Sequence, residues 1–128
     1  MELKSYFEAT EGTGVLATAD AGGKVNAALY ARPHVVDGET VAFIMTDRLT
    51  HANVQSNKHA AYLFIETGGS YAGKRLYLAM VKEEKNSPLI ETLRRHCPAD
   101  GGTKSKDLYL VYFHVDKILP LVGSDMAD

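Results

Sequence analysis

The residues best suited to chemistry lie in one short run, residues 45–53, which reads MTDRLTHAN. This run places the guanidinium of Arg48, the hydroxyl of Thr50 and the amide of Asn53 at the predicted junction of a strand and a helix. Free backbone N–H groups and the positive end of the helix dipole favour a phosphate there, and an arginine adds paired charge-assisted hydrogen bonds. The run therefore predicts an anion site. The same residues are also typical of a helix in which Thr50 is only the N-cap and Arg48 is a solvated charge.

The remaining polar residues form no recognisable metal-binding or catalytic pattern. No recognised ligand spacing occurs among the five histidines, which are His34, His51, His59, His96 and His114. His51 adjoins the predicted anion site, where a histidine would either make a neutral hydrogen bond or pair with a charge. The single cysteine, Cys97, lies on the apolar stripe of a predicted helix, where a buried thiol is ordinary. We therefore predict no metal site, and we assign no catalytic residue.

Short strands and tight turns must position the run at residues 45–53. Alternating apolar residues predict strands at residues 14–19, 24–36, 40–46, 60–67, 71–85 and 108–118. Pro33 should bulge the second strand or place it at a sheet edge, because proline has no amide hydrogen for a ladder. Helices are predicted at residues 2–10, 48–57 and 87–97. The order indicates a mainly β fold, a six-stranded antiparallel barrel with short flanking helices.

The composition is that of one globular domain spanning residues 1–128. Hydrophobic residues make up 45% and charged residues 23%, and the net charge is −2 from 14 basic and 16 acidic groups. This balance does not indicate a nucleic-acid or acidic-membrane partner. The N-terminal residues lack a signal-peptide core, and no apolar run approaches the roughly 20 residues that cross a bilayer. We expect a cytoplasmic protein that binds neither nucleic acid nor membrane.

The chain resembles the FMN-binding split barrels related to pyridoxamine 5'-phosphate oxidase. The resemblance covers roughly residues 7–115 and depends on the order and spacing of several pieces. These are GVLATAD at residues 14–20 with its glycine turn, the strand at 26–30, the Asp37-Gly38 turn, FIMT at 43–46 running into THANV at 50–54, and Asn57.

The resemblance implies a noncovalently bound FMN at a homodimer interface. The ring would lie along two strands, with contacts from Ala28, Leu29, Tyr30, Ala31, Met45 and Thr46. The phosphate end would lie beside Arg48, Thr50, His51 and Asn53. The partner subunit would complete the pocket from the strand that holds Tyr71, Lys74, Arg75 and Tyr77.

The chain also departs from the oxidases themselves. They are longer and carry a C-terminal segment rich in Arg, His and Trp, whereas this sequence has no Trp and reads PLVG at residues 120–123. We therefore expect an activity other than that of pyridoxamine 5'-phosphate oxidase. Family members with a similar barrel use the deazaflavin F420 or bind haem, so both remain alternatives to FMN.

Three functions are compatible with this sequence. The first is an FMN-dependent oxidoreductase, in which the flavin transfers hydride or electrons to or from a small molecule and the protein supplies position and electrostatics. The second is a module that binds flavin without turnover and serves an electron-transfer partner. The third is a cofactor-free protein whose barrel serves only dimerisation. We expect the first, and the sequence does not identify its substrate or electron donor.

Overall fold

The computed structural model describes residues 2–94 and 107–123. The elements in this part of the chain are α1 Leu3–Ala9, β1 Gly12–Ala19, β2 Val25–Leu29, β3 His34–Asp37, β4 Thr40–Thr46, α2 Leu49–Ser56, β5 His59–Glu66, β6 Gly73–Lys85, α3 Pro88–Arg94 and β7 Leu108–Pro120. Every strand pair is antiparallel. The predicted mainly β class is confirmed. The predictions for His96, Cys97 and the loop at residues 99–106 lie outside the described residues.

The described part of the chain has seven strands because the predicted strand at residues 24–36 divides in two. Its halves, β2 and β3, lie at opposite edges of a sheet with the order β2-β1-β5-β6-β7-β4-β3. Pro33 is buried between the halves, where a residue without an amide hydrogen takes no place in a ladder. The chain from Leu29 to His34 can span at most about 18 Å, so the two edges must approach each other and the sheet must curl into a barrel.

Residues 30–33 connect β2 at one edge of the sheet to β3 at the other, and we call this segment the crossing. One buried tyrosine holds it in place. The Tyr62 hydroxyl on β5 contacts the carbonyl oxygens of Tyr30 at 3.1 Å and Ala31 at 3.0 Å, and Tyr62 is fully buried. The Tyr30 amide donates to the carbonyl of Gly14 on β1 at 2.9 Å. A Cβ atom at Gly14 would overlap the Tyr62 hydroxyl and would lie 2.6 Å from the Tyr30 carbonyl oxygen. Only glycine therefore fits beneath the crossing.

The inner faces of the strands form the main core. Its buried side chains include Leu16, Val41, Phe43, Met45, Tyr62, Phe64, Leu76, Leu78, Val111 and Phe113. Helix α1 covers one end of this core with Leu3 and Phe7, and α2 packs Val54 against it near the end of β4. The barrel thus presents α2, with its preceding turn, at one end.

Within residues 2–94 and 107–123, a helix covers the outside of the barrel on one side only. Helix α3 packs Ile90 over Leu110 and Tyr112, so the outer side of β4 and β7 is shielded. On β2, β1 and β5, six apolar residues at outward positions form two cross-strand rows, Leu29–Val15–Leu63 and Ala27–Ala17–Ala61. We call these six residues the outer apolar face. No element of the described chain covers this face, and Leu29 is 74% exposed.

Replacing Tyr62 with phenylalanine should lower the free energy of unfolding by about 1–2 kcal/mol, because the half-buried Tyr30 carbonyl loses its donor. Urea unfolding followed by circular dichroism measures this change. The matched control is Tyr71→Phe, at a side chain that is 83% exposed, which should change stability by less than about 0.5 kcal/mol. Equal stabilities of the two variants would contradict the role given to the Tyr62 hydroxyl.

Candidate functional site

The candidate site is built on the first turn of α2, immediately after β4. Arg48 is the N-cap residue in an extended conformation, and its carbonyl accepts a hydrogen bond from Ala52 at 2.9 Å. No side chain caps this helix. The alternative in which Thr50 is only the N-cap is wrong, because the extended backbone of Arg48 starts the helix at Leu49 and puts Thr50 inside the first turn. The first backbone N–H groups of α2 are therefore left without a side-chain partner.

Thr50 faces β2, where it meets two polar side chains. The Asn26 amide donates to the Thr50 hydroxyl at 3.4 Å. Burial raises the pKa of the Tyr30 phenol, and a hydrogen bond with Thr50 acts in the opposite direction. Asn26, Ala28 and Tyr30 are the half-buried positions of this stretch, and they alternate with exposed residues. Sequence reasoning missed Asn26, although its period-two spacing from Ala28 and Tyr30 could have placed it on the same face.

Asn53 makes a contact inside the chain. Its amide nitrogen donates to the hydroxyl of Thr18 on β1 at 3.0 Å, and the two residues are 4% and 3% exposed. The hydrogen bond ties α2 to β1 beneath the first turn. A direct contact between Asn53 and a phosphate remains a prediction, and the structure gives this side chain a structural role.

His51 is buried at the base of α2 between two carboxylates. Its Nδ1 lies 2.9 Å from an oxygen of Asp47, and its Nε2 lies 2.8 Å from an oxygen of Glu83 on β6. The ring also stacks on Tyr109 of β7, with centroids 3.9 Å apart. Gln55, one helical turn after His51, donates to the same Glu83 oxygen at 3.0 Å. Sequence reasoning missed Glu83 and Tyr109, because nothing in their local patterns links them to a residue more than 30 positions away.

The residues predicted to contact the ring occupy different environments. Met45 is fully buried in the core, so its side chain supports the site from beneath. Thr46 and Ala28 are half-buried, whereas Leu29 is strongly exposed. Ala31 is exposed, with its carbonyl at the Tyr62 hydroxyl.

Lys74 and Arg75 lie at the opposite end of β6 from the α2 site. The Lys74 ammonium lies 4.7 Å from the centre of the Tyr6 ring. The Arg75 guanidinium donates to the carbonyls of Pro120 and Gly123. Nine residues of extended strand, about 30 Å, separate Lys74 from Glu83. A single copy of the chain therefore does not bring Lys74 and Arg75 to α2.

The chemistry available at the site is that of anion binding beside an apolar wall. Arg48 is exposed next to the uncapped turn, and Leu49 is 56% exposed beside it. Within residues 2–94 and 107–123, no cluster of three or more His, Cys, Asp or Glu side chains could hold a metal ion. The helices in these ranges are also too short or too polar to cross a membrane.

Comparison with known proteins identifies the fold. No protein-family model and no curated protein matches the chain. An FMN-binding protein from Syntrophomonas wolfei subsp. wolfei matches with a TM-score of 0.74 and 18% identity, over 93% of this chain and 83% of that chain. This chain has the split-barrel fold. The resemblance to the pyridoxamine 5'-phosphate oxidase-like split barrels is thus confirmed, and solved proteins of that kind from Lactobacillus delbrueckii and Listeria innocua also match.

Other solved proteins with this fold are named for different cofactors. An F420 reductase matches with a TM-score of 0.66 and 20% identity, over 92% of this chain and 97% of that chain. HutZ, the haem storage protein from Vibrio cholerae, matches with a TM-score of 0.63 and 22% identity, over 94% of this chain and 95% of that chain. The fold alone therefore leaves the ligand of this split barrel open.

Asn53→Ala should lower the free energy of unfolding by about 1–3 kcal/mol, since the change removes a buried hydrogen bond and leaves the Thr18 hydroxyl without this donor. Chemical denaturation gives the value. Lys58→Ala, at an exposed position just beyond the same helix, is the control and should stay within about 0.5 kcal/mol of wild type. An Asn53→Ala protein as stable as the control would show that the Thr18 contact does not anchor α2.

Proposed function

We propose that this split barrel binds FMN, with the phosphate at the first turn of α2. The observation that carries the proposal is the uncapped helix start, where free backbone N–H groups stand beside the exposed Arg48. A phosphate dianion would accept hydrogen bonds from these groups and from the guanidinium. The match to an FMN-binding protein of the same fold supports this choice of ligand.

The ring of the flavin would lie along β2. This strand turns the half-buried Asn26, Ala28 and Tyr30 to one side, and the exposed Leu29 lies on the other side, in the outer apolar face. Planar aromatic ligands bind best between apolar walls that carry a few polar groups, and this edge offers that combination. Leu49, exposed in the first turn of α2, would extend the apolar wall.

The protein would act as a flavin-dependent oxidoreductase. Bound FMN supplies hydride or electron transfer, and the chain's own residues bind and orient it. In this function Arg48 and the α2 turn hold the phosphate, and the residues of β2 set the position of the ring. The cytoplasmic location expected from the sequence remains a prediction.

The pocket would be completed by a second copy of the chain. The outer apolar face is the surface that supports a homodimer, because the described part of one copy leaves six apolar residues in two adjacent rows uncovered. Monomeric proteins rarely leave large contiguous apolar surfaces in water. Lys74 and Arg75, which lie far from α2 within one chain, would reach the pocket only from the partner.

Two other ligands are possible candidates because proteins of the same fold are named for them. F420 carries a phosphate group and would use the same α2 turn. Haem carries none, and its own absorption spectrum would distinguish it from a flavin. A flavin carrier without turnover is separated from an oxidoreductase by adding NADH or NADPH alone and following flavin absorption, since only the enzyme would be reduced without a partner protein.

The purified protein, or the protein after addition of FMN and removal of the excess, should show flavin absorption bands at close to one FMN per chain. Combined Arg48→Ala and Thr50→Ala substitutions should raise the dissociation constant for FMN by roughly tenfold to a hundredfold, which corresponds to the loss of about 1.5–3 kcal/mol from charged hydrogen bonds. Quenching of flavin fluorescence measures the constant.

The matched control for this experiment is Lys58→Ala, which removes one positive charge just beyond the C-terminal end of α2. It should bind FMN as wild type does. Protein that takes up no FMN would overturn the proposal. Equal affinities of the double variant and the control would place the phosphate elsewhere.

Sedimentation at micromolar concentration should show a dimer. Ala17→Arg puts a charge in the middle of the outer apolar face, where an interface would bury it without a partner, so this variant should sediment as a monomer and bind FMN at least about tenfold more weakly. Val36→Arg, at an exposed position of β3, should remain a dimer with unchanged affinity. A wild-type monomer would contradict a pocket built from two chains.

A further inference from the structure

We propose that Arg32 is a positioning residue that fixes the crossing to α1 and thereby sets the position of the first turn of α2. The effect on FMN rests on the proposed function, whereas the contact with α1 belongs to the fold. Arg32 lies inside the crossing, two residues after Tyr30 and directly before the buried Pro33. Its guanidinium donates to α1, so its effect on the candidate site passes through the chain that it holds.

The crossing depends on side-chain contacts because it lies outside the ladders of the sheet. The pairing of β1 with β2 ends at Leu29, and the pairing of β3 with β4 begins at His34. Tyr62 on β5 holds the backbone of the crossing through two carbonyls. Arg32 ties the same segment to α1. Two different elements therefore fix a segment that has no strand partner of its own.

Arg32 closes the C-terminal end of α1. Its Nη1 donates to the carbonyls of Phe7 and Thr10, both at 2.8 Å, and we call these two hydrogen bonds the Arg32 clamp. The last carbonyls of a helix have no partner inside the helix, and a positive charge is favourable beside them. The last turn of α1 itself holds no basic residue, so the crossing supplies the cation. The clamp thus caps the helix and holds the crossing at the same time.

Helix α1 is a firm support for the clamp because it is packed on the core. Phe7 is buried, and its ring meets that of Tyr62 edge-on with centroids 6.3 Å apart. The Tyr6 hydroxyl donates to the Glu66 carboxylate at 2.6 Å, at the end of β5. A helix of seven residues has little stability of its own and depends on such contacts. Through Arg32, the crossing shares this support.

Tyr30 carries the position of the crossing to the candidate site. Its amide donates to the Gly14 carbonyl at 2.9 Å, and its ring meets that of Phe43 edge-on with centroids 5.8 Å apart. Burial raises the pKa of its phenol, and the hydrogen bond with Thr50 in the first turn of α2 acts in the opposite direction. Two extended residues span at most about 7 Å, so a displacement at Arg32 reaches Tyr30 without passing through another element.

The test compares wild type with Arg32→Gln, which shortens the side chain and removes its charge. Affinity for FMN, measured by quenching of flavin fluorescence, should fall by about tenfold. Without FMN, the amides of Tyr30 and Ala52, which donate to the carbonyls of Gly14 and Arg48, should exchange their hydrogens faster. The first amide reports on the crossing, and the second reports on the first turn of α2.

Two further variants separate positioning from a general loss of stability. Arg32→Lys keeps the charge, and its ammonium can reach a carbonyl of α1, so it should restore part of the affinity. Its intermediate effect tests the clamp if Arg32→Gln does not fold. Tyr30→Phe removes the phenol hydroxyl. In this background Arg32→Gln should weaken FMN binding by less than about threefold, because the contact that carries the effect to Thr50 is already lost.

Lys4→Gln is the matched control, because it removes one positive charge from α1 without touching the crossing. Lys4 pairs with Glu8 on the exposed side of the helix. Exposed pairs of this kind contribute little to stability. Affinity for FMN and the exchange of both reporter amides should therefore stay at their wild-type values.

The outcomes separate this inference from the proposed function. Unchanged exchange at Tyr30 in both Arg32→Gln and Arg32→Lys would overturn the clamp. Faster exchange at Tyr30 with unchanged FMN affinity would overturn its role at the site, and losses of affinity that are independent in the double variant would overturn the route through Tyr30. If the wild-type protein binds no FMN, faster exchange at both amides would support the inference and refute the proposed ligand, whereas an unchanged Ala52 amide would overturn the inference too.

Discussion

The arrangement of this barrel depends on the contacts that the Tyr62 hydroxyl makes with the backbone of the crossing. By meeting the carbonyls of Tyr30 and Ala31, the hydroxyl fixes the chain where β2 ends at one edge of the sheet and β3 begins at the other. If residues 24–36 formed one continuous strand, Asn26 and the α2 turn would have no reason to meet. The crossing therefore places a polar strand face beside the start of α2, and the candidate site exists because of it.

The first turn of α2 is held by side chains that the sequence suggested as ligand contacts. Asn53 and His51 are both buried, and their side chains form hydrogen bonds with residues of β1 and β6. The groups that remain free to meet a ligand are the backbone N–H groups of the turn and the exposed Arg48. A helix too short to be stable alone thus gains a fixed orientation from neighbouring strands, and its unpaired end becomes available for binding.

Local patterns predicted most of the strands and the α2 helix, because alternation and turn residues act over short distances. The turn at Asp37-Gly38 is an example, since the Asp37 carboxylate accepts a hydrogen bond from the amide of Glu39. The sequence predicted an irregularity or a sheet edge at Pro33, but the placement of the two halves at opposite edges escaped prediction because it depends on how the whole sheet closes. The pairing of His51 with Glu83 escaped for another reason, since it depends on how β6 passes the end of the barrel. Thr50 looked like an N-cap because threonine often caps helices, but the N-cap of α2 is Arg48, two residues earlier.

Gly14 limits how the sequence around the crossing can change during evolution. A side chain at this position would meet the Tyr62 hydroxyl, which another residue at 62 could remove, but also the carbonyl of Tyr30, which belongs to the backbone and is present whatever the residue. No second substitution restores the lost space. Sequence drift must therefore leave the crossing intact, while β2 and the α2 turn around it are free to vary. A barrel of this kind can exchange one ligand for another without rebuilding its frame.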